Sequence, residues 1–303
     1  MKIFRAALLL LSGAGLVSVA SYSSEIATFR PRKKTLADPP FWVIAHRGYS
    51  GRYPENTMLA FEKAAELPID AIELDIHTTR DGRIVVIHDP TLDRTTDRTG
   101  RVLDFTYEEL RKADAGYRFD PDGRKEYPFR GQGLEVPLLE DLFKRFPRMR
   151  FVIEIKQTLP ALEEPLYRLI RKYRLSERVI VASEHTDPLA RFRSMNPLVA
   201  TNFSREEAKS FYRMFRLHLA SFSKPEGDAL QIPESYNGRS VITPEFVANV
   251  KRKGLTLHIW TVNDPADMRR LIDTGVDGII SDFPDRLLQV ARPAEALRGH
   301  RTS

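Results

Sequence analysis

The sequence predicts an α/β protein, a closed (β/α)8 barrel that forms a single domain. Short apolar runs alternate with amphipathic stretches of helical length, the pattern of parallel strands joined by helical crossovers. The strand candidates number near eight, and polar residues gather at their carboxyl ends, where such barrels carry their sites. No Gly-rich nucleotide fingerprint follows any strand candidate, which weighs against an open, doubly wound sheet.

Val43-Ile44-Ala45 reads as a buried strand that delivers His46 and Arg47 at its end. Pro54-Glu55-Asn56-Thr57 opens a helix, with Asn56 or Thr57 as N-cap ahead of Leu59, Ala60, Lys63 and Ala64 at helical spacing. Ile72-Glu73-Leu74-Asp75-Ile76-His77 alternates with period two, so Glu73, Asp75 and His77 share one strand face. Arg80-Asp81-Gly82-Arg83 marks a hairpin. With Asp81 and Gly82 as its two loop residues, Asp75 lies opposite His88.

Thr106 caps a short helix, residues 114–134 form a long loop, and 138–146 is an amphipathic helix stopped by Pro147. The strand at 150–156 carries Glu154 and Lys156 on one face. Helices at 162–173, 187–195, 205–219, 244–253 and 265–273 then alternate with strands at 178–183, 198–202, 228–232, 255–262 and 276–282. One strand candidate exceeds the barrel's eight staves. The hairpin pair 71–77 and 84–88 accounts for it, because hairpin partners run antiparallel.

Composition narrows the class. With 303 residues, 42% hydrophobic and 29% charged, the chain has ordinary globular proportions. Its net charge of +6, from 47 basic and 41 acidic residues, suits an anionic substrate or a membrane surface. It lacks the dense basic stripe of a nucleic-acid binder, so no nucleic-acid partner is expected. The absence of cysteine excludes disulfides, thiolate zinc sites and Cys nucleophiles.

Lys2 and Arg5 precede the apolar run Ala6 to Ala20, and Ser18-Val19-Ala20 is a small-x-small cleavage pattern, the layout of a secretory signal peptide. The run is short of the roughly 20 residues of a membrane span. The alternative is an uncleaved anchor. The expected organisation is residues 1–24 as signal peptide or membrane anchor, 25–40 as linker, 41–290 as the barrel and 291–303 as a flexible basic tail. The expected location is outside the cytoplasm, either exported (periplasmic or secreted) or associated with the membrane through the N-terminus. The oligomeric state is left open.

Glu73 and Asp75 on one strand face repel each other unless a proton or a cation lies between them. Hard divalent ions take oxygen ligands, so Mg²⁺ or Ca²⁺ is the natural resolution. Glu154, on a distant strand, offers a matching carboxylate.

His46-Arg47-Gly48, Pro54-Glu55-Asn56-Thr57, Glu73-Leu74-Asp75, His88-Asp89-Pro90 and Glu154-Ile155-Lys156 together resemble the glycerophosphodiester phosphodiesterases. Trp260-Thr261-Val262-Asn263 and Ser281-Asp282-Phe283-Pro284 extend the match across residues 41–290. The resemblance implies a TIM-type barrel with its site at the carboxyl ends of the strands. It implies that Glu73, Asp75 and Glu154 bind one divalent cation, Mg²⁺ or Ca²⁺, with Glu55 a further metal-touching position. It also implies that His46 and His88 are the acid/base pair and that Arg47 and Lys156 hold phosphate. Trp260 reads as an apolar wall against a glycerol moiety.

The chemistry agrees: phosphodiester hydrolysis needs an activated nucleophile, a protonated leaving alcohol and neutralised phosphoryl oxygens. The expected reaction releases sn-glycerol 3-phosphate and an alcohol, with water or the substrate's neighbouring hydroxyl as first nucleophile. The alternatives are a lysophospholipase D, with a lysophospholipid as substrate, and a non-catalytic phosphodiester-binding barrel. Asp282 reads as an orienting or turn-capping residue outside the site. Glu184 and His185 follow a strand where a barrel aims side chains at substrate. Phe211, Tyr212, Met214 and Phe215 form an apolar patch, read either as helix core or as contact with lipid.

Overall fold

The computed structural model describes residues 33–37, 39–236 and 238–292. The expected signal or anchor segment and all but the start of the expected tail lie outside them. The strands are β1 (Trp42–His46), β2 (Ala71–Thr78), β3 (Ile84–Val86), β4 (Arg150–Ile155), β5 (Val179–Ala182), β6 (Ala200–Thr201), β7 (Ala229–Pro233), β8 (Ser235–Tyr236), β9 (Arg239–Ser240), β10 (Thr256–Trp260) and β11 (Gly278–Ser281). All but β3, β8 and β9 join one parallel sheet in the order β6-β5-β4-β2-β1-β11-β10-β7. A parallel bridge between Asn202 and Ala229 brings its two ends together, so the sheet is a nearly closed barrel.

The helices are α1 (Met58–Ala65), α2 (Tyr107–Leu110), α3 (Leu139–Arg145), α4 (Glu163–Lys172), α5 (Thr186–Met195), α6 (Arg205–Arg216), α7 (Pro244–Arg252), α8 (Pro265–Thr274) and α9 (Pro284–Ala291). Side-chain caps start several of them. Thr57 accepts the Ala60 N–H at 3.2 Å, and Thr106 and Ser204 each complete a capping box with a glutamate three residues on. The strands' outward faces carry residues such as Ile72, Leu74, Ile153 and Leu257 into two large cores beneath the helices. The interior is filled by Trp42, Ile44, Val152, Ile180, Ile280 and small alanines. Strands buried on both faces leave the inward polar residues at the carboxyl ends as the exceptions to explain.

Four differences from the sequence expectations stand out. The helix expected over 205–219 ends at Arg216, and the strand expected to Val262 ends at Trp260. Helix α9, with Pro284 in its first turn and Leu287 and Leu288 buried, follows the last barrel strand and was not among the expected elements. The hairpin register also moves by one residue. β3 pairs off the barrel with β2 as Ile76–Val86, His77–Val85 and Thr78–Ile84. Thr79 N–H bonds Arg83 O at 3.0 Å, leaving Arg80-Asp81-Gly82 as a three-residue loop. Gly82 takes φ 75°, the left-handed position such a loop reserves for glycine. Asp75 therefore stands opposite Ile87, whose N–H bonds Asp75 O at 3.0 Å, and His88 lies one residue further on.

Candidate active site

Parallel register assembles the site. His46 of β1 is level with Glu73 of β2, and Asp75 of β2 is level with Glu154 of β4. Period two keeps Glu73 and Asp75 on the same inward face. The result is a cluster in which Glu73, Asp75 and Glu154 each offer a carboxylate oxygen within 4.8 Å of the others. Glu73 and Asp75 are 5% and 1% exposed. Burial, reinforced by the charge of Asp75, pushes the Glu73 carboxyl up to about 8, and the same two causes raise Glu154.

Two cations lean on the cluster without filling it. Lys156 Nζ lies 3.1 Å from Glu154 Oε1 and 3.7 Å from Asp75 Oδ1, and Arg47 Nε lies 3.2 Å from Asp75 Oδ2. Three carboxylates against these two cations leave the cluster short of positive charge. An all-oxygen donor set with that deficit fits a hard divalent cation.

Both expected histidines are held through Nδ1. His46 Nδ1 donates to Asp282 Oδ1 at 2.6 Å, and its Nε2 lies 3.8 Å from Glu73 Oε2. Asp282 also accepts from Ser50 Oγ at 2.9 Å and Asn263 Nδ2 at 2.7 Å. Burial opposes the charge on Asp282, but these bonds, led by that from His46, hold its carboxyl down at about 2. On His46 itself, burial disfavours the charged ring; the Asp282 bond and the Glu73 charge together outweigh burial and raise the pKa.

His88 is built the same way. Its Nδ1 donates to Asp89 Oδ1 at 2.6 Å, and Arg94 Nε holds Asp89 at 2.7 Å. Here burial, helped by the Arg47 charge, prevails over Asp75 and lowers the pKa. The two imidazoles are thus displaced in opposite directions.

Arg47 occupies a tight turn. It takes φ 53°, and Gly48 follows at φ 84°. A Cβ on Gly48 would stand 2.7 Å from the Ala60 carbonyl carbon, so β1 can approach α1 only through glycine. The turn aims the Arg47 N–H at Glu73 Oε2, 3.0 Å away, and its side chain at Glu55, 2.8 Å away. Glu55 is also gripped by Arg94 at 2.6 and 2.8 Å. It sits beside the three-carboxylate cluster and is not one of its members.

His46, Arg47, Glu73, His88, Glu154, Lys156 and Trp260 open onto one cavity of about 780 Å³. Trp260 stands at the carboxyl end of β10, 37% exposed. Away from the carboxylates, the cavity runs along α6, lined by Phe203, Tyr212, Leu230, Ile232 and Phe246 and also by Arg205, Lys209, Arg213 and Arg216. Glu184 reaches it and pairs with Arg205, whereas His185 precedes α5 and does not line it. Phe211 is core, edge-on to Phe203 and Phe246, and Phe215 packs on the same Phe246 ring.

Asp282, Asp89, Asn56 and Arg94 were missed as site residues. Asp89 follows His88 directly and Asp282 directly follows β11 inside the Ser281-Asp282-Phe283-Pro284 motif, so both had a signal. Asn56, which donates to Asp75 Oδ2 at 3.0 Å, lies in the helix-opening motif. Arg94 sits in a loop with none.

Residues 46–286, spanning His46 to just past Asp282, match the model of the glycerophosphoryl diester phosphodiesterase family. The chain belongs to this family. A glycerophosphodiester phosphodiesterase of Caldanaerobacter subterraneus subsp. tengcongensis is 40% identical over 258 residues, covering 82% of this chain and 97% of the relative. The solved glycerophosphodiester phosphodiesterase of Agrobacterium tumefaciens is 28% identical with a TM-score of 0.66, covering 82% of this chain and 98% of its own. An Oleispira antarctica phosphodiesterase, 24% identical with a TM-score of 0.63, shares the fold over 82% of this chain and 95% of its own. That protein was solved in complex with its product, sn-glycerol-3-phosphate. In this phosphodiesterase the match begins at the first histidine of the cavity and takes in every other residue named for the site.

Proposed function

We propose that this phosphodiesterase is metal-dependent and hydrolyses glycerophosphodiesters to sn-glycerol 3-phosphate and an alcohol by acid–base chemistry at His46 and His88. The observation that carries the reading is the pairing of two aspartate-held imidazoles, displaced in opposite directions, in one cavity with three buried carboxylates. A divalent cation, Mg²⁺ or Ca²⁺, held by Glu73, Asp75 and Glu154 would supply charge neutralisation at the phosphoryl oxygens. Arg47 and Lys156 add charge-assisted hydrogen bonds to the same phosphate.

Pairs of titratable groups pushed apart in pKa divide acid and base roles between them. His46, raised, is the imidazole that more readily carries the proton and donates it from Nε2 to the departing alcohol oxygen. His88, lowered, is neutral and accepts the proton of the attacking hydroxyl, whether water or the neighbouring hydroxyl of the substrate. Asp282 and Asp89, both accepting from Nδ1, keep each Nε2 turned to the cavity. Trp260 walls the glycerol moiety.

A lysophospholipase D reading is favoured by one observation, the apolar side chains Phe203, Tyr212, Leu230, Ile232 and Phe246 in the cavity, which suit an acyl chain. Turnover of glycerophosphocholine and lysophosphatidylcholine, each with EDTA and then with Mg²⁺ or Ca²⁺ restored, separates the readings. Metal-restored cleavage of the deacylated diester alone supports the main one, and preference for the lysolipid moves the function to the second. No turnover with either ion would leave a binding protein. Export or anchoring rests on the Lys2–Ala20 pattern, and cell fractionation followed by N-terminal sequencing tests it.

A further inference from the structure

The end of the barrel opposite the site, where strands begin, has its own chemistry. Among the described residues seven large hydrophobic side chains are exposed, and four belong to two connections at this end. Leu198, 74% exposed, lies between α5 and β6. Leu217, Leu219 and Phe222, at 59%, 41% and 73%, lie between α6 and β7.

These connections are neighbours. Asn196, Pro197, Pro225 and Glu226 line one surface depression together with Lys33, and Arg193 bridges to Glu226 at 3.4 Å. The chain passes through the same place. Lys33 Nζ donates to Val199 O at 2.7 Å and pairs with Asp228 at 2.9 Å, and Leu36 packs in the barrel interior beside Trp42 and Ile44. The sequence before Lys33 contains Arg30, Arg32 and the apolar run Ala6–Ala20.

The charge around these side chains is positive. Lys224 and Arg252 are exposed at the same end and have no hydrogen bond or ion pair among the described residues. Lys253 Nζ, on the adjoining α7–β10 connection, bonds Ser221 O and Ser223 O at 2.9 Å.

We propose that the amino-terminal end of the barrel is a docking face for an anionic phospholipid bilayer, which leaves the catalytic mouth turned to solvent. Exposed Leu and Phe side chains set among unpaired cations match an interface of acyl chains under anionic head groups. Stable membrane attachment takes two signals, and this face stands where the chain carrying the apolar run joins the barrel.

The cysteine-free chain makes the test direct. Phe222→Cys, Leu198→Cys and, at the carboxyl end, Leu159→Cys each accept one environment-sensitive fluorophore on the full chain. With vesicles of phosphatidylcholine and phosphatidylglycerol, the probes at 222 and 198 should shift to the blue and brighten several-fold, while the probe at 159 stays unchanged. Replacing Leu198, Leu217, Leu219 and Phe222 by Ser should weaken co-sedimentation several-fold and leave glycerophosphocholine turnover intact. A shift at 159 would mean that the catalytic mouth faces the bilayer. Co-sedimentation without a shift at 222 and 198 would mean a tether alone, and a shift without vesicles would mean self-association. Any of these, or no co-sedimentation, overturns the proposal.

Discussion

Asp282 and Asp89 show how a neighbour decides what an imidazole does. Each accepts from Nδ1 at 2.6 Å, yet His46 is raised and His88 lowered, because Glu73 lies beside the first ring while burial and Arg47 prevail at the second. His46→Ala should lower kcat on glycerophosphocholine by about 10²–10⁴, the usual weight of a general acid. A p-nitrophenyl phosphodiester, whose leaving group needs no proton, should recover most of that loss, whereas His88→Ala should fail on both substrates. Equal losses for His46→Ala on both would rule out its role as acid. Asp282→Asn tests a positioning residue. Without the Asp282 charge the His46 pKa falls, so the basic limb of the kcat/KM profile should move to lower pH with KM little changed. A profile that keeps its limb would leave Asp282 a merely structural part.

At the scale of elements, the turn after β1 is the narrowest point. Gly48→Ala combines a left-handed φ with a 2.7 Å approach to Ala60 and should destabilise the fold by roughly 1–3 kcal/mol, measured by urea unfolding. Activity should fall further than stability explains, since Arg47 is aimed from that turn; full activity in a folded variant would contradict this. The capped start at Thr106 was legible because Thr three residues ahead of Glu is a local pattern. Hairpin register was not. A two-residue and a three-residue loop both use Asp-Gly, and the Thr79 hydroxyl, accepting from Arg83 N–H at 2.9 Å and donating to Asp81 at 2.7 Å, favours the longer one.

For the whole molecule, the proposed cation site links binding to pH. The folded-state pKa of Glu73 is raised from 4.5 to about 8, so without a cation its contribution to stability is complete below pH 4.5 and is lost as pH rises through 8. A divalent cation replaces the proton, so its affinity should climb through that window. At a hundredfold excess over Kd, binding adds about 2.7 kcal/mol. Saturating Mg²⁺ or Ca²⁺ should therefore raise Tm more above pH 8 than below pH 4.5, EDTA should reverse the gain, and Glu73→Gln should flatten the pH dependence. A gain independent of pH, or none, would remove the cation from this site.

The sequence by itself determined the barrel, its strand count and the identity of the charged residues at the strand ends, because these follow from local periodicity and short motifs. Only the tertiary structure decided which of them meet. The level of His46 with Glu73 and of Asp75 with Glu154 is set by strand stagger around the barrel. Asp282 reaches His46 across 236 positions of sequence, because β11 lies next to β1 in the sheet. Glu55 is drawn to Arg47 and Arg94 by the loops that bring those guanidinium groups together. Periodicity tells which face a residue takes; distance between residues far apart in the chain comes only from closing the sheet.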